Sequence, residues 1–577
     1  MEEKIIKGIG VSEGIRIGRA FVFMHSQNVD IERKISEAEA NQEEERFQRA
    51  ADAAGTEIDE LISDVAQKLD AGKIGVLKGQ KGILADPAYC PEIKKLIHKN
   101  LLSSETAVKQ VTEKFAKIFE NLKNDYMKER SADIRDVGNR ILKILSGKKA
   151  VDLKTIKEPV ILIADDLSPT DTIQLNKEYI LAFATQKGGK TSHTSIFAKS
   201  LGIPAAVGLP GLTDAVSDGD TVIIDGLEGL CILSPQKDTI DQYLEKQNAE
   251  AAEELLLREN MLNAAATSDG SRVIVAANIG SLADAGFSLE QGAKAVGLFR
   301  TEQLFLSRNT FPDEEEQFRE YKSVAEKFSE KEVIIRTLDV GGDKSISYLN
   351  IPKEDNPFLG YRAVRLCLNQ KELFLTQLRA ILRASAFGKL SIMFPMISGY
   401  AELMAAKSVL DEAKSQLKSN KISYDESIRV GIMIEVPSAA LMADVLAQEA
   451  DFFSIGTNDL VQYTLAVDRG NEKVSYLYDY FNPAVIRLIK NIADAAHAAG
   501  IPVGMCGGMA GDPSAAPLLI GLNLDELSMA AGSVPKVKNA IRKVSKQECA
   551  RLASECAQCK TPEEIHRIIR AFSANKT

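Results

Sequence analysis

The chain has 577 residues, enough for several domains, and its 45% hydrophobic and 26% charged residues are ordinary for globular protein. A formal net charge of −10 argues against a general nucleic-acid-binding role. The start, MEEKIIKG, has no apolar signal core and no run approaches a membrane span. Seven scattered cysteines (Cys90, Cys231, Cys367, Cys506, Cys549, Cys556 and Cys559) read as reduced thiols, so a cytoplasmic protein without membrane insertion is expected.

In chain order, "GIRIGRAFVF" is a strand pattern that gives way near Ile31 to charged sequence with helical periodicity. Helices are predicted over 31–70, 74–85, 91–101 and 104–146, broken by "DAGK", "ADP" and "LLSSE". They form a helical subdomain, 24–147, inserted after the first strand. From "EPVILIADDLSPTDT" onward strands return: "YILAFAT" and "DTVIIDG" alternate with helical pieces in a compact α/β unit. The opening strand is expected to pair with this unit, giving one domain of 1–23 plus 148–236.

Inside that unit stands "GGKTSHTSIFAKSLG", residues 188–202, with one of only five histidines. Gly188 and Gly189 allow close approach. Ser192 and Thr194 are candidate caps, Ile196, Phe197 and Leu201 share a helical face, and Gly202 before Pro204 is a stop signal. His193 then sits at a helix N-terminus, where exposed N–H groups favour anions and disfavour imidazolium. Two readings stand: a neutral imidazole that accepts a phosphoryl group, or a capping histidine with no chemistry.

Residues 237–264 are charged with sparse apolar positions and read as one connecting helix, about 40 Å long at 1.5 Å per residue. Over 265–577 eight apolar strand candidates follow, most separated by helices: "RVIVAANIG", "AVGLFRTE", "EVIIRTLDVGG", "LSIMFPMIS", "VGIMIEVPS", "DFFSIGTNDL", "IPVGMCGGM" and "ELSMAA". Eight such units in about 300 residues predict a (β/α)8 barrel, a TIM barrel, rather than a doubly wound sheet. The fold class is therefore multidomain α/β, ending in that barrel.

Five of these strands run into reactive side chains at the end where barrel sites are built: Arg300, Arg336, Glu435, Asn458 with Asp459, and Cys506. With Arg469 in "AVDRGN", the arginines suit a multiply charged anion. Glu435 and Asp459 are hard oxygen ligands for Mg²⁺ or Mn²⁺, and Asn458 can donate to phosphate. Cys506, beside Gly507 and Gly508, offers a thiol proton where small residues let a ligand come close. Together they fit a small phosphorylated carboxylic acid. Taken singly, Arg336 also reads as a barrel salt-bridge partner and Cys506 as a small buried hydrophobe. The Cys556-x-x-Cys559 pair has no second pair, so a metal or redox role has little support.

"GGKTSHTSIFAKSLGIPAAVG" resembles the phosphohistidine motif of the phosphoenolpyruvate-utilising enzymes. "GLFRTEQLFL", "RTLDVGGDK", "NPFLGYRAVR", "GIMIEVPSA", "FFSIGTNDLVQYTLAVDR" and "GMCGGMAGD" are similar to that family's successive barrel motifs. With "KGIGVSEGIRIGRA" and "ERSADIRDVGNRIL", the likeness to the branch serving the bacterial sugar phosphotransferase system covers nearly the whole chain.

The resemblance implies that phosphoenolpyruvate phosphorylates His193 on Nε2 and that Arg300, Arg336, Asn458, Asp459 and Arg469 bind the substrate. It further implies that Glu435 and Asp459 hold Mg²⁺ and that Cys506 protonates the enolate to pyruvate. Thr172 in "SPTDT" stands where a hydroxyl steadies the histidine. The helical insert would dock the phosphocarrier protein HPr, which takes the phosphoryl group onward, and the enzyme would be a homodimer joined through its barrels. Lys190 replaces the family's usual arginine, and Phe197-Ala198-Lys199 its Met-Ala-Arg, so one planar phosphate contact is lost while the charge stays.

Three rivals are less well matched. The dikinase and synthase branches need an ATP-binding module, and no Gly-rich nucleotide loop is present. The nitrogen-regulatory paralogue carries an extra N-terminal sensory domain. A non-catalytic sensor has no need of a proton donor such as Cys506.

Overall fold

The computed structural model describes all residues except 1–2, 24–32, 67–70, 121–124, 147–152, 154–155, 169–170, 173–174, 177, 190–191, 307, 309, 343, 345, 347, 350, 472, 575 and 577. It forms two compact units, 1–253 and 254–577.

In the first unit an eight-stranded sheet has the order β1-β8-β7-β3-β4-β5-β6-β2. The strands are β1 (Lys4–Lys7), β2 (Ile9–Ser12), β3 (Ile15–Phe23), β4 (Val160–Ala164), β5 (Ile180–Thr185), β6 (Ala205–Val207), β7 (Thr221–Asp225) and β8 (Leu230–Leu233). The opening pattern is β3, and it lies between β7, antiparallel, and β4, parallel, across the long insert. Ile161, Ile163, Ala182 and Val222 are fully buried, so the near-continuous apolar runs of the central strands reflect burial on both faces.

The insert contains α1 (Ala40–Ala66), α2 (Ala71–Leu84), α3 (Tyr89–Asn100), α4 (Ser104–Glu120) and α5 (Asp125–Ser146) around a core that includes Phe47, Ile93, Val108 and Ile141. The largest departures from the expected bounds are at the first and last of these helices, while the second and third begin at Ala71 and Tyr89 rather than 74 and 91. The first α-helix begins at Ala40 rather than 31: Lys34 pairs with Leu102 as a β-bridge, and a 3-10 turn over Glu37–Glu39, started by the Ser36–Glu39 capping box, leads into it, with 31–32 outside the described residues. The expected helix over 104–146 is two helices, with 121–124 outside the described residues. The N-terminus of α4 is capped from a distance: Glu43 accepts from Ser104 N at 2.9 Å and also pairs with Arg46 at 2.6 Å.

Helix α6 (His193–Leu201) begins where the sequence places it. Ser192 is the N-cap, its hydroxyl accepting from Ser195 N at 3.3 Å, and Gly202 ends the helix at φ 62°. Thr194 is not a cap: its hydroxyl is buried and donates to Leu167 O at 3.1 Å. His193 is the first residue of the helix; its ring, and Lys190, lie outside the described residues.

The connecting helix α7 spans Lys237–Asn260 and stops four residues short of the expected 264. Arg542 donates to Asn260 O at 3.0 Å and Lys538 to Met261 O at 2.5 Å, so side chains take the terminal carbonyls that another turn would have used.

In the second unit all eight expected strands close a barrel: β9 (Ile274–Ile279), β10 (Val296–Arg300), β11 (Val333–Arg336), β12 (Leu390–Phe394), β13 (Arg429–Ile434), β14 (Phe453–Ile455), β15 (Val503–Met505) and β16 (Glu526–Met529). Every neighbouring pair is parallel. Cys549, Cys556 and Cys559 are buried free thiols packed in the core around it.

At the N-terminal ends of the strands Arg429 is ion-paired with Glu332, which also accepts from Ser391 Oγ at 2.6 Å. Glu526 beside them is pushed up to about 8, by burial first and then by Glu332, against the pull of Arg429. Because its folded value lies above its unfolded one, the folded state holds this proton more tightly and loses stability as pH rises from about 4.5 to 8. Glu526→Gln should therefore melt with the wild type near pH 4.5 and about 2–4 °C or more above it at pH 9. Equal melting at both pH values in calorimetry would rule out this carboxyl as a source of the pH dependence.

Candidate active site

Strand register sets the site. Arg300 and Arg336 are Cα partners at the tips of β10 and β11. Ile434, Ile455 and Met505 are in register across β13, β14 and β15, so the next residues, Glu435, Gly456 and Cys506, share one level of the rim. Because strand side chains alternate, Leu298 precedes Arg300, Ile334 precedes Arg336 and Met433 precedes Glu435 on the inward face. Leu298, Ile334 and Met433, with Met393, Phe452 and Cys506, form a buried apolar cluster beneath a charged layer.

A cavity of about 410 Å³ opens above that cluster. Its walls carry five basic side chains, Arg300, Arg336, Lys344, Arg362 and Arg469. Facing them are four carboxylates, Glu302, Asp339, Glu435 and Asp459. Arg336 pairs with Glu302 at 2.6 Å and Asp339 at 3.0 Å, and Lys344 meets the same two at 2.9 and 3.2 Å. Arg362 joins Asp339 at 2.9 Å to Asp459 at 3.3 Å, and Arg469 reaches the other oxygen of Asp459 at 3.4 Å. Burial alone would raise Asp339, but Arg336, Arg362 and Lys344 outweigh it and hold the carboxyl well below the usual range. The Nε atoms of Arg336 and Arg362 are buried without a hydrogen-bond partner, N–H groups that an anion or water would satisfy.

Glu435 is pushed up to about 8, by burial first and then by Asp459 and Asp339, although Arg336 and Arg362 oppose this. Its Oε1 accepts from Met396 N at 2.7 Å. A Cβ on Gly456 would come within 2.9 Å of Oε2, so a glycine there keeps that oxygen's place clear. Among the described residues no cluster of three or more His, Cys, Asp or Glu could hold a metal. Two carboxylates facing a polar cavity fit Mg²⁺, which keeps water and substrate oxygens as its other ligands.

Asn458 Oδ1 accepts from Gly508 N at 2.9 Å, which orients the amide and leaves Nδ2 to donate. Asn458 and Asp459 stand in the first turn of α10 (Thr457–Leu465) rather than on β14 itself. Cys506 is 3% exposed, donates weakly to Ile455 O at 3.8 Å, and is pushed up to about 11, chiefly by burial, despite Arg336 and Arg300.

The cavity thus gathers all seven barrel residues singled out from the sequence: Arg300, Arg336, Glu435, Asn458, Asp459, Arg469 and Cys506. Arg336 is ion-paired, as its salt-bridge reading expects, and it also lines the cavity. Gly507 lines the cavity and is also small for its neighbour, because a Cβ there would lie 1.8 Å from Thr457 Oγ1.

The sequence reading did not assign roles to Glu302, Asp339, Lys344 and Arg362. Glu302 and Asp339 follow the tips of β10 and β11 by two and three residues, so the same strand-end rule would have found them. Arg362 lies on a loop between elements, and only tertiary packing delivers it. Gly341, at φ 104°, takes it in, where a Cβ would be 2.5 Å from Arg362 Cβ. In the first unit Thr172 is buried, its N–H donating to Ser168 O at 3.0 Å.

Models of the phosphoenolpyruvate-utilising enzymes match three stretches: the N-terminal domain at 7–130, the mobile domain at 156–229 and the phosphoenolpyruvate-binding domain at 256–546. Fold and site together define that class. The chain is 44% identical over 99% of its length to the phosphoenolpyruvate-protein phosphotransferase of Staphylococcus aureus (strain Mu50), of which it covers 99%. It is 45% identical to that of Bacillus subtilis (strain 168) over 98% of this chain and 99% of the relative. A solution structure of an Enzyme I protein is 38% identical over 43% of this chain and 99% of its own, at a TM-score of 0.38. The chain belongs to the phosphoenolpyruvate-protein phosphotransferase family, and it is an enzyme of phosphoryl transfer. Among the described residues no helix is long and apolar enough to cross a membrane.

Proposed function

We propose that this chain takes the phosphoryl group of phosphoenolpyruvate onto His193, releases pyruvate, and passes the group to a histidine of HPr, opening sugar uptake by the phosphotransferase system in the cytoplasm. The observation that carries this reading is the convergence of five basic side chains, four carboxylates and a buried thiol on one cavity.

Arg300, Arg336 and Arg469 hold the phosphate and carboxylate of the substrate, and Asn458 Nδ2 donates to the phosphate. Mg²⁺ on Glu435 and Asp459 supplies charge neutralisation when bound. The P–O bond of phosphoenolpyruvate breaks as an N–P bond forms at His193 Nε2, leaving the enolate. Its methylene carbon takes the proton of Cys506 Sγ, and the thiolate recovers a proton from water. Thr172 and the charge of Lys190 steady the phosphohistidine.

In-line transfer needs near contact of the reacting atoms. The reading therefore includes movement of the domain formed by 1–23 and 148–236, in keeping with the mobile-domain description of the model matching 156–229. The helices of 24–147 dock HPr, 237–264 connect, and 265–577 form the barrel. A homodimer joined through the barrel is part of the same reading.

The test is intact mass after incubation with phosphoenolpyruvate and Mg²⁺, then with HPr. One phosphoryl group should appear without ATP, be lost in His193→Ala, and move to HPr on its addition. An unmodified wild-type chain would overturn the reading.

A further inference from the structure

Two walls of the cavity hang on side chains that lie outside it. Helices α8 (Glu314–Phe328) and α9 (Lys371–Ser385) bury Gln317, Tyr321 and Gln377 completely. Buried amides and hydroxyls are retained only with partners, because leaving one unpaired is costly. Here each has one, and the direction of every bond follows.

Leu338 N donates to Gln377 Oε1 at 2.8 Å, which fixes the amide's orientation. Gln377 Nε2 must then donate twice, to Thr301 Oγ1 and to Tyr321 Oη, both at 3.2 Å. Thr301 passes its own proton to Arg336 O at 2.8 Å. Tyr321 donates to Gln317 Oε1 at 3.1 Å, and Gln317 Nε2 ends the chain on Pro312 O at 2.9 Å. Only one order of donors satisfies all of these, so the network has a single arrangement.

Its ends are placed tellingly. Thr301 lies between Arg300 and Glu302, and the backbone of Arg336 and Leu338 flanks the approach to Asp339. One side chain, Gln377, therefore ties the tips of β10 and β11 together at the point where four cavity residues leave the backbone.

We propose that Gln377, acting through Thr301, is a positioning residue for the phosphoenolpyruvate-binding tips of β10 and β11. It touches no substrate; it sets where Arg300 and Arg336 can reach. The inference rests on reading the cavity as the phosphoenolpyruvate site. Displacement of such groups by about 1 Å can cost up to ~10²-fold in rate.

The experiment compares Thr301→Val, Thr301→Ser, Gln377→Met and, as a control, Val324→Ala, a fully buried truncation on α8 with no part in the network. KM and kcat for self-phosphorylation by phosphoenolpyruvate are measured with Mg²⁺ beside melting temperature. Thr301→Val and Gln377→Met should raise KM and lower kcat/KM by about 10–10²-fold. Thr301→Ser, which keeps the hydroxyl, should restore both. Back-transfer from phosphorylated HPr to His193 should be unchanged in every variant. Should Gln377→Met fail to fold, the Thr301 pair decides. Kinetics of Thr301→Val no worse than those of Val324→Ala at matched loss of melting temperature would make the network a plain core staple and overturn the proposal. A wild type that takes no phosphoryl group from phosphoenolpyruvate, while Thr301→Val still melts normally, would fail the site reading itself and the proposal with it.

Discussion

Cys506→Ala should lose pyruvate formation by a factor of about 10²–10⁴, the usual contribution of a positioned general acid. Two arginines and a bound cation would each favour thiolate, which raises the question of why a thiol should keep its proton here. Burial decides it. Cys506 sits among Leu298, Ile334, Met433 and Phe452, and desolvation outweighs Arg336 and Arg300, so the thiol is pushed up to about 11. On the proposed reading, the protonated form would face the enolate at pH 7. Since ionisation would occur only near 11, the wild-type rate should show no loss from this thiol between pH 7 and 10. Alanine keeps a small apolar group on the cluster, so the variant should fold, bind phosphoenolpyruvate and accept phosphate on His193 from phosphorylated HPr. Pyruvate release measured in a coupled assay at near the wild-type rate would leave Cys506 as packing alone.

Glu435→Gln and Asp459→Asn should each cut Mg²⁺-dependent self-phosphorylation by about 10²–10³, the value of several kcal/mol of charge stabilisation. The two should differ in what else they disturb. Among the described residues Glu435 forms no ion pair, and burial raises its pKa, so replacing it should remove the proposed metal ligand while disturbing the charge network less. Asp459 also meets Arg362 and Arg469, so its loss strips both guanidinium groups of a partner and should raise the KM for phosphoenolpyruvate further. Back-transfer from phosphorylated HPr to His193 should survive in both, because it does not use the barrel carboxylates. Equal loss of the forward and back reactions in a folded Glu435→Gln would contradict that division.

Much of this protein was written in its periodicities. Eight apolar runs separated by helical stretches specify the barrel, because a strand buried on both faces must be continuously apolar and a parallel neighbour needs a crossover. Polar residues at the ends of those runs specify Arg300, Arg336, Glu435 and Cys506, and Ser192 with Gly202 specifies the bounds of α6, since both signals act within one turn of chain. Tertiary structure decided the rest. Arg362 reaches the cavity from a loop, held by contacts with Gly341, Asp339 and Asp459 that no local spacing encodes. The end of α7 is set by Lys538 and Arg542, nearly 280 residues away. The protonation of Cys506 and the raised carboxyl of Glu435 depend on how much water packing removes and on which charges it brings near. Those are properties of the folded interior, since in the extended chain every one of these groups is solvated and alone.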